Sequence, residues 1–130
     1  LNTAGNALSI TADDIALAGT INTGAAATTL LISDGGTIGF GNSARNMTIS
    51  GAELQNITAT GLTIGGTNAG NITVDGISAA NSNNISGTVT LDATQDNASI
   101  VFSGSASTFN AVAANAVSAT SVLPHTKRPN

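Results

Sequence analysis

Short apolar pairs recur along the chain, and the two members of each pair flank a single residue. Apolar residues at i and i+2 lie on one face of a strand, so each pair predicts a short strand with one buried face. Gly and Asn residues that favour turns separate the pairs. The nine pairs are Leu8–Ile10, Ile15–Leu17, Leu30–Ile32, Ile38–Phe40, Met47–Ile49, Leu62–Ile64, Ile72–Val74, Val89–Leu91 and Ile100–Phe102.

The spacing of these pairs predicts a repeat architecture. The interval from Leu8 to Leu30 is close to the interval from Met47 to Ile72. Self-similarity at a period of about 20–50 residues is typical of repeat proteins. Short strands and frequent turns without a helical pattern predict an all-β fold, a parallel β-helix (β-solenoid) of about five or six coils with roughly three short strands each. We expect it to occupy residues 1–117, followed by a flexible tail of different composition at 118–130.

The composition limits the classes of function. Only 8% of the residues are charged, the formal net charge is −4, and Arg45 is the one cation before the tail. So few cations argue against binding to nucleic acid or to an anionic membrane surface. The chain has no Cys, which excludes disulfides and thiolate metal sites. It begins with Leu1 and contains no apolar run long enough to span a membrane, so we expect a segment of a larger protein without membrane insertion.

Four stretches resemble the repeat region of filamentous-haemagglutinin-like proteins, which are large bacterial surface adhesins. These stretches are Ile15–Asn22, Thr37–Gly41, Glu53–Gly65 and Gly70–Val74, and the resemblance extends over residues 1–113. It implies a right-handed parallel β-helix, a secreted or cell-surface location and a role in adhesion. In that family such repeats usually form the shaft.

The residues that catalysis would need are scarce. His125, the only His, lies in the tail between Pro124 and Pro129 and has no visible partner to form a catalytic pair. Paired carboxylates cleave glycosidic bonds in some enzymes, and the candidates for this role are Asp13 with Asp14, Asp92 with Asp96, and Glu53. Turn formation accounts for the aspartates. We therefore predict that the chain is not an enzyme and has no catalytic residues.

The ligand motifs also have simpler interpretations. Asp34-Gly35-Gly36 or the Asp92–Asp96 pair could hold Ca²⁺, but turn chemistry explains both. Gly39-x-Gly41-x-x-Ala44 matches a dinucleotide-binding pattern without the βαβ context that such a site requires. We predict a turn there, and no metal or cofactor site.

Threonine pairs, sequons and Glu53 complete the candidate features. Thr58-x-Thr60 and Thr88-x-Thr90 resemble fragments of an ice-binding threonine array, but they are isolated.

We expect Glu53 to accept hydrogen bonds from backbone N–H groups at a corner or to pair with Arg45, because a buried lone carboxylate is costly. Five Asn-x-Ser/Thr sequons are candidate glycosylation sites, at Asn46, Asn56, Asn71, Asn84 and Asn97.

Taken together, these features predict a structural shaft segment of a secreted or cell-surface filamentous adhesin. Its expected partners are neighbouring coils of a longer parent chain or further copies stacked end to end, because open sheet edges invite pairing. The alternative is a module that binds a glycan or a host surface through its lateral face. Few aromatic or charged residues are available for such a face, so the shaft is favoured.

Overall fold

The computed structural model describes residues 1–117, which form short strands and two helices of a single turn or little more. Every strand pair in this range is parallel. The strands are β1 (Leu8–Ala12), β2 (Ile21–Asn22), β3 (Ala27–Ile32), β4 (Ile38–Gly41), β5 (Met47–Ile49), β6 (Ile57–Thr58), β7 (Gly61–Gly66), β8 (Ile72–Asp75), β9 (Thr88–Ala93), β10 (Ile100–Phe102) and β11 (Ala111–Ala116). The helices are α1 (Gly51–Gln55) and α2 (Ala79–Ser82).

The strands form three sheets of different size. The large sheet has five strands in the order β1-β3-β7-β9-β11, and the second sheet has four in the order β10-β8-β4-β5. The small sheet consists of β2 and β6. Successive strands of the chain mostly enter different sheets, and each sheet is assembled from distant parts of the sequence.

The apolar pairs locate the strands well. Eight of the nine pairs lie in strands, and the exception is Ile15–Leu17, which is irregular but packs partly buried against the core. Conversely, β11 forms in the Ala-rich run after Phe109, where the apolar pattern weakens. Pairing with β9 stabilises β11 although the apolar pattern of its own sequence is weak.

The predicted right-handed parallel β-helix of five or six regular coils is wrong. The three sheets contain five, four and two strands, they neither curl nor close, and two helices interrupt the connections. The spacing of the apolar pairs also does not describe how the strands pair, because Leu8 pairs with Thr28 rather than Leu30, and Met47 pairs with Ile38 rather than Ile72. The physical cause lies between β4 and β6. There β5 and α1 lengthen one connection, so the number of residues between paired strands is not constant along the chain.

The predicted boundary at residue 117 coincides with the last residue that the structure describes, and the predicted tail at 118–130 lies outside the described residues. The boundary and the flexibility of the tail therefore stay predictions.

The core is built from rows of inward-facing side chains that cross the large sheet. Residues that pair across neighbouring strands occupy the same row, because side chains alternate between the two faces of a strand. In the central strands these side chains are almost completely buried, as in Leu30, Ile64 and Leu91. Each such side chain stabilises the fold by about 1.5–3 kcal/mol relative to exposure. Two rows are Leu8–Thr28–Leu62–Val89–Val112 and Ile10–Leu30–Ile64–Leu91–Ala114.

Candidate functional site

The carboxylates named as candidates for catalysis or Ca²⁺ binding mostly hold neighbouring segments together. Asp13 accepts a hydrogen bond from the Ser33 hydroxyl at the end of β3, whereas Asp14 Oδ1 accepts one from Thr48 N in β5 at 3.0 Å. The two adjacent acids therefore interact with different sheets. They do not form a pair directed at one substrate.

Glu53 has the most connected side chain of these acids. Its Oε1 accepts a hydrogen bond from Ser50 N at 3.0 Å, and its Oε2 accepts one from Leu17 N at 2.7 Å. The Arg45 guanidinium instead donates to the carbonyl of Ala44 at 2.9 Å. The first of the two expectations for Glu53, hydrogen bonding to backbone N–H groups, is confirmed.

The two aspartates of the second candidate pair lie in different structures, and the turn predicted for Asp92 is wrong because this residue lies in a strand. Asp92 lies in β9, and its Oδ1 accepts a hydrogen bond from Asn115 Nδ2 in β11 at 2.7 Å. Asp96 is exposed in the connection to β10. Asp34 Oδ1 accepts from Gly36 N at 3.0 Å, which is the local turn that the sequence predicts.

Asp75 belongs to the same class of cross-segment links, although no sequence motif singled it out. Its Oδ1 accepts a hydrogen bond from Ser105 N at 2.8 Å. Within residues 1–117, no group of three or more His, Asp or Glu side chains is arranged to hold a metal ion.

Most sequon asparagines have structural contacts of their own. Asn46 Oδ1 accepts from Thr37 N at 3.0 Å, Asn71 Oδ1 accepts from Ser99 N at 2.9 Å, and Asn84 Nδ2 donates to the Gln55 carbonyl at 2.8 Å. Asn56 is the C-cap of α1, and Asn97 is exposed with φ 65°. Modification of any of them stays a prediction.

The glycines of the dinucleotide-like motif lie inside β4, and the next element is another strand, β5. The missing Cβ of Gly39 makes room for the carbonyl of Ser43, which would overlap a side chain there. Gly41 has φ 102°, and a Cβ on it would overlap the Asp75 carbonyl. Close backbone packing therefore explains this motif.

The threonines separate in a similar way. Thr58 lies in β6 of the small sheet, whereas Thr88 and Thr90 lie in β9 of the large sheet. Thr90 belongs to a single outward-facing row with Ser9, Thr29 and Thr63. The two Thr-x-Thr motifs do not combine into one array.

The clearest unpartnered surface lies where the large and second sheets end side by side. We call it the terminal edge, and it is defined by the exposed apolar side chains of Val101, Phe102, Val112 and Val117. Strands β10 and β11 carry the first three of these residues and contact each other, and Val117 directly follows β11. Phe102 and Val112 belong to inward-facing rows, yet they are 50% and 44% exposed because no described strand lies beyond them.

Sequence reasoning missed Ser50 and both helices. Ser50 caps α1 by accepting from Glu53 N at 3.2 Å, while Glu53 bonds back to Ser50 N in a capping box. Ser78 and Asn81 repeat this arrangement in α2. The spacing of Ser50 and Glu53 is a recognisable capping signal. The short apolar pairs on either side of it predict strands, so the single turn of helix between them was missed.

Comparisons with known protein families, curated proteins and solved structures found no match for this chain. The predicted resemblance to filamentous-haemagglutinin-like repeats therefore stays a prediction. Neither of the two helices in residues 1–117 is long and apolar enough to cross a membrane.

Proposed function

We propose that this chain is a structural segment of a secreted or cell-surface filamentous adhesin, and that it performs no catalysis. The observation that supports this role is the use of its acidic side chains. Asp13, Asp14, Glu53, Asp75 and Asp92 each accept a hydrogen bond from a residue at least 20 positions away in the sequence. These carboxylates stabilise contacts between neighbouring segments, as a spacer that must resist force requires.

Mechanical resistance is supported by the way the backbone is paired. Parallel strands from distant parts of the chain alternate among three sheets, so pulling on one segment strains hydrogen bonds to its neighbours. Inward-facing apolar rows join the same strands through buried side chains. Limited proteolysis followed over a temperature ramp tests this role. We expect cleavage within residues 1–117 to begin only as the β-sheet circular dichroism signal is lost.

A second candidate function is lateral binding of a glycan or host surface. One observation favours it: the hydroxyls of Ser9, Thr29, Thr63 and Thr90 form an outward-facing row across four adjacent strands. Neighbouring members of such a row are about 4.8 Å apart. Hydroxyl groups at a regular spacing can exchange hydrogen bonds with sugar hydroxyls.

A glycan array separates the two functions. The structural role predicts no saturable binding by the wild-type chain. Saturable binding that Thr63→Val weakens at least tenfold would support the lateral module and contradict the purely structural role. Thr58→Val, in the small sheet, is the matched control because it removes a hydroxyl outside the row.

A further inference from the structure

We propose that the terminal edge binds a second copy of this chain, with β1 of that copy adding to β11 as the next parallel strand. This inference rests on the proposed structural function and deepens it by naming the partner and the strands involved. Within the described residues β11 pairs only with β9, and β1 pairs only with β3. Among residues 1–117, each therefore presents one edge whose backbone groups have no strand partner.

The rows of the core fix the register of this contact. Leu8 and Val112 end the same inward-facing row, and Ile10 and Ala114 end the next one. Repeating the row pattern across the junction places Leu8 of one copy beside Val112 of the other and Ile10 beside Ala114. The exposed inward side of β11 would then be covered by the apolar residues of β1.

The second sheet gives an independent reason for the same orientation. The segment after β1 runs beside the outer strand of this sheet, since Asp14 contacts Thr48 in β5. Its Ile15 and Leu17 are partly buried against the core. When β1 of one copy adds to β11 of the other, this segment lies over β10 and covers Phe102, which is half exposed in the single chain.

Charge does not oppose the contact. No residue from 97 to 117 is charged, so β10, β11 and the connection between them carry no charged side chain. Asp13 and Asp14 on the incoming copy therefore meet no acidic side chain from this segment across the junction. The two strands match in length as well, with five residues in β1 and six in β11.

Cysteine cross-linking tests the register, because the chain has no Cys of its own. The proposed pairing places Ser9 of one copy beside Ala113 of the other, about 4.8 Å apart, within the Cα separation of roughly 7 Å that a disulfide tolerates. In a single chain β1 and β11 are four strand spacings apart, or about 19 Å. Any Ser9–Ala113 disulfide must therefore join two molecules.

The experiment mixes the single variants Ser9→Cys and Ala113→Cys, one of them mass-labelled, and oxidises them gently. We expect the mixed dimer to exceed the two homodimers at least tenfold. Ser9→Cys with Val117→Cys is the matched control, because the displacement along the strand separates these positions by about 13 Å and should leave a statistical mixture. A statistical mixture from the first pair as well would overturn the proposed register.

Sedimentation of the full chain tests the association itself. We expect the wild-type sedimentation coefficient to rise with protein concentration, and Val112→Lys to abolish the rise. At a dilution where the wild type is monomeric, the two melting temperatures should agree, which excludes loss of folding as the cause. A wild-type chain that stays monomeric up to its solubility limit would overturn the second copy as partner. A monomeric wild type would contradict the second copy as partner but not the structural function. Saturable glycan binding would contradict the structural function but would not change the sedimentation result.

Discussion

Glu53 illustrates how much of this structure depends on single polar side chains that link separate segments. Its two oxygens accept hydrogen bonds from Ser50 N, which starts α1, and from Leu17 N, which belongs to the segment after β1. One carboxylate thus fixes a helix end and a distant irregular segment. A side chain with only one acceptor oxygen cannot satisfy both N–H groups in this geometry.

The variant Glu53→Gln should therefore reduce the free energy of unfolding by about 1–3 kcal/mol, since one N–H group loses its acceptor and faces an amide NH₂. Urea unfolding followed by circular dichroism measures this change. Asp96→Asn is the matched control, because Asp96 is exposed in a connection. Equal effects of the two substitutions would show that Glu53 acts only through net charge.

Gly39 gives a second prediction at the residue scale. A Cβ on this residue would overlap the Ser43 carbonyl, where the chain turns back between β4 and β5. Gly39→Ala should lower the free energy of unfolding by about 1–3 kcal/mol, as overpacking of a tight contact does. Gly19→Ala is the control, because no atom outside its chain neighbours lies within 4 Å of the added Cβ. A Gly39→Ala chain as stable as this control would contradict the close packing.

At the scale of single elements, α1 depends on its N-cap. Helices this short have little intrinsic stability, so the reciprocal bonds between Ser50 and Glu53 contribute a large share of what holds the turn. Ser50→Ala should cost about 1 kcal/mol, the usual effect of removing an N-cap hydroxyl. Ser9→Ala, the same chemical change on the exposed face of β1, should cost much less. Equal unfolding free energies for the two variants would rule out a stabilising cap.

The positions of the strands could be predicted from the sequence, but the pairing between strands could not. The i, i+2 apolar rule locates β3 and β7 because it depends on local side-chain alternation alone. Register depends on tertiary structure: Leu8 pairs with Thr28, whereas Thr28 pairs with Leu62, which lies much further along the chain. A constant period therefore leads to the wrong fold. The contacts of Glu53 were partly predictable, because a carboxylate beside turn residues needs N–H partners.

At the scale of the whole molecule, burial increases from the ends of the large sheet towards its middle. Ile64 in β7 is completely buried, whereas Ile10 in β1 is only partly buried, although both belong to one inward-facing row. In the part of the chain that the structure describes, the strands at the two edges have a neighbour on one side only. Local opening should therefore begin at β1 and β11, and the central strands should open last.

Two measurements test this gradient together. Hydrogen exchange should show the strongest protection in β7 and the weakest in β1 and β11 under conditions that keep the chain monomeric. Ile64→Ala should cost about 2–5 kcal/mol, as expected for a cavity in a closed core. The same change at Ile10 should cost clearly less, because this site is partly solvated already and its edge strand can relax. Both variants are compared under the same monomeric conditions, so that association does not add to the cost at Ile10. Equal costs would show that β1 packs as tightly as β7 and would contradict the gradient.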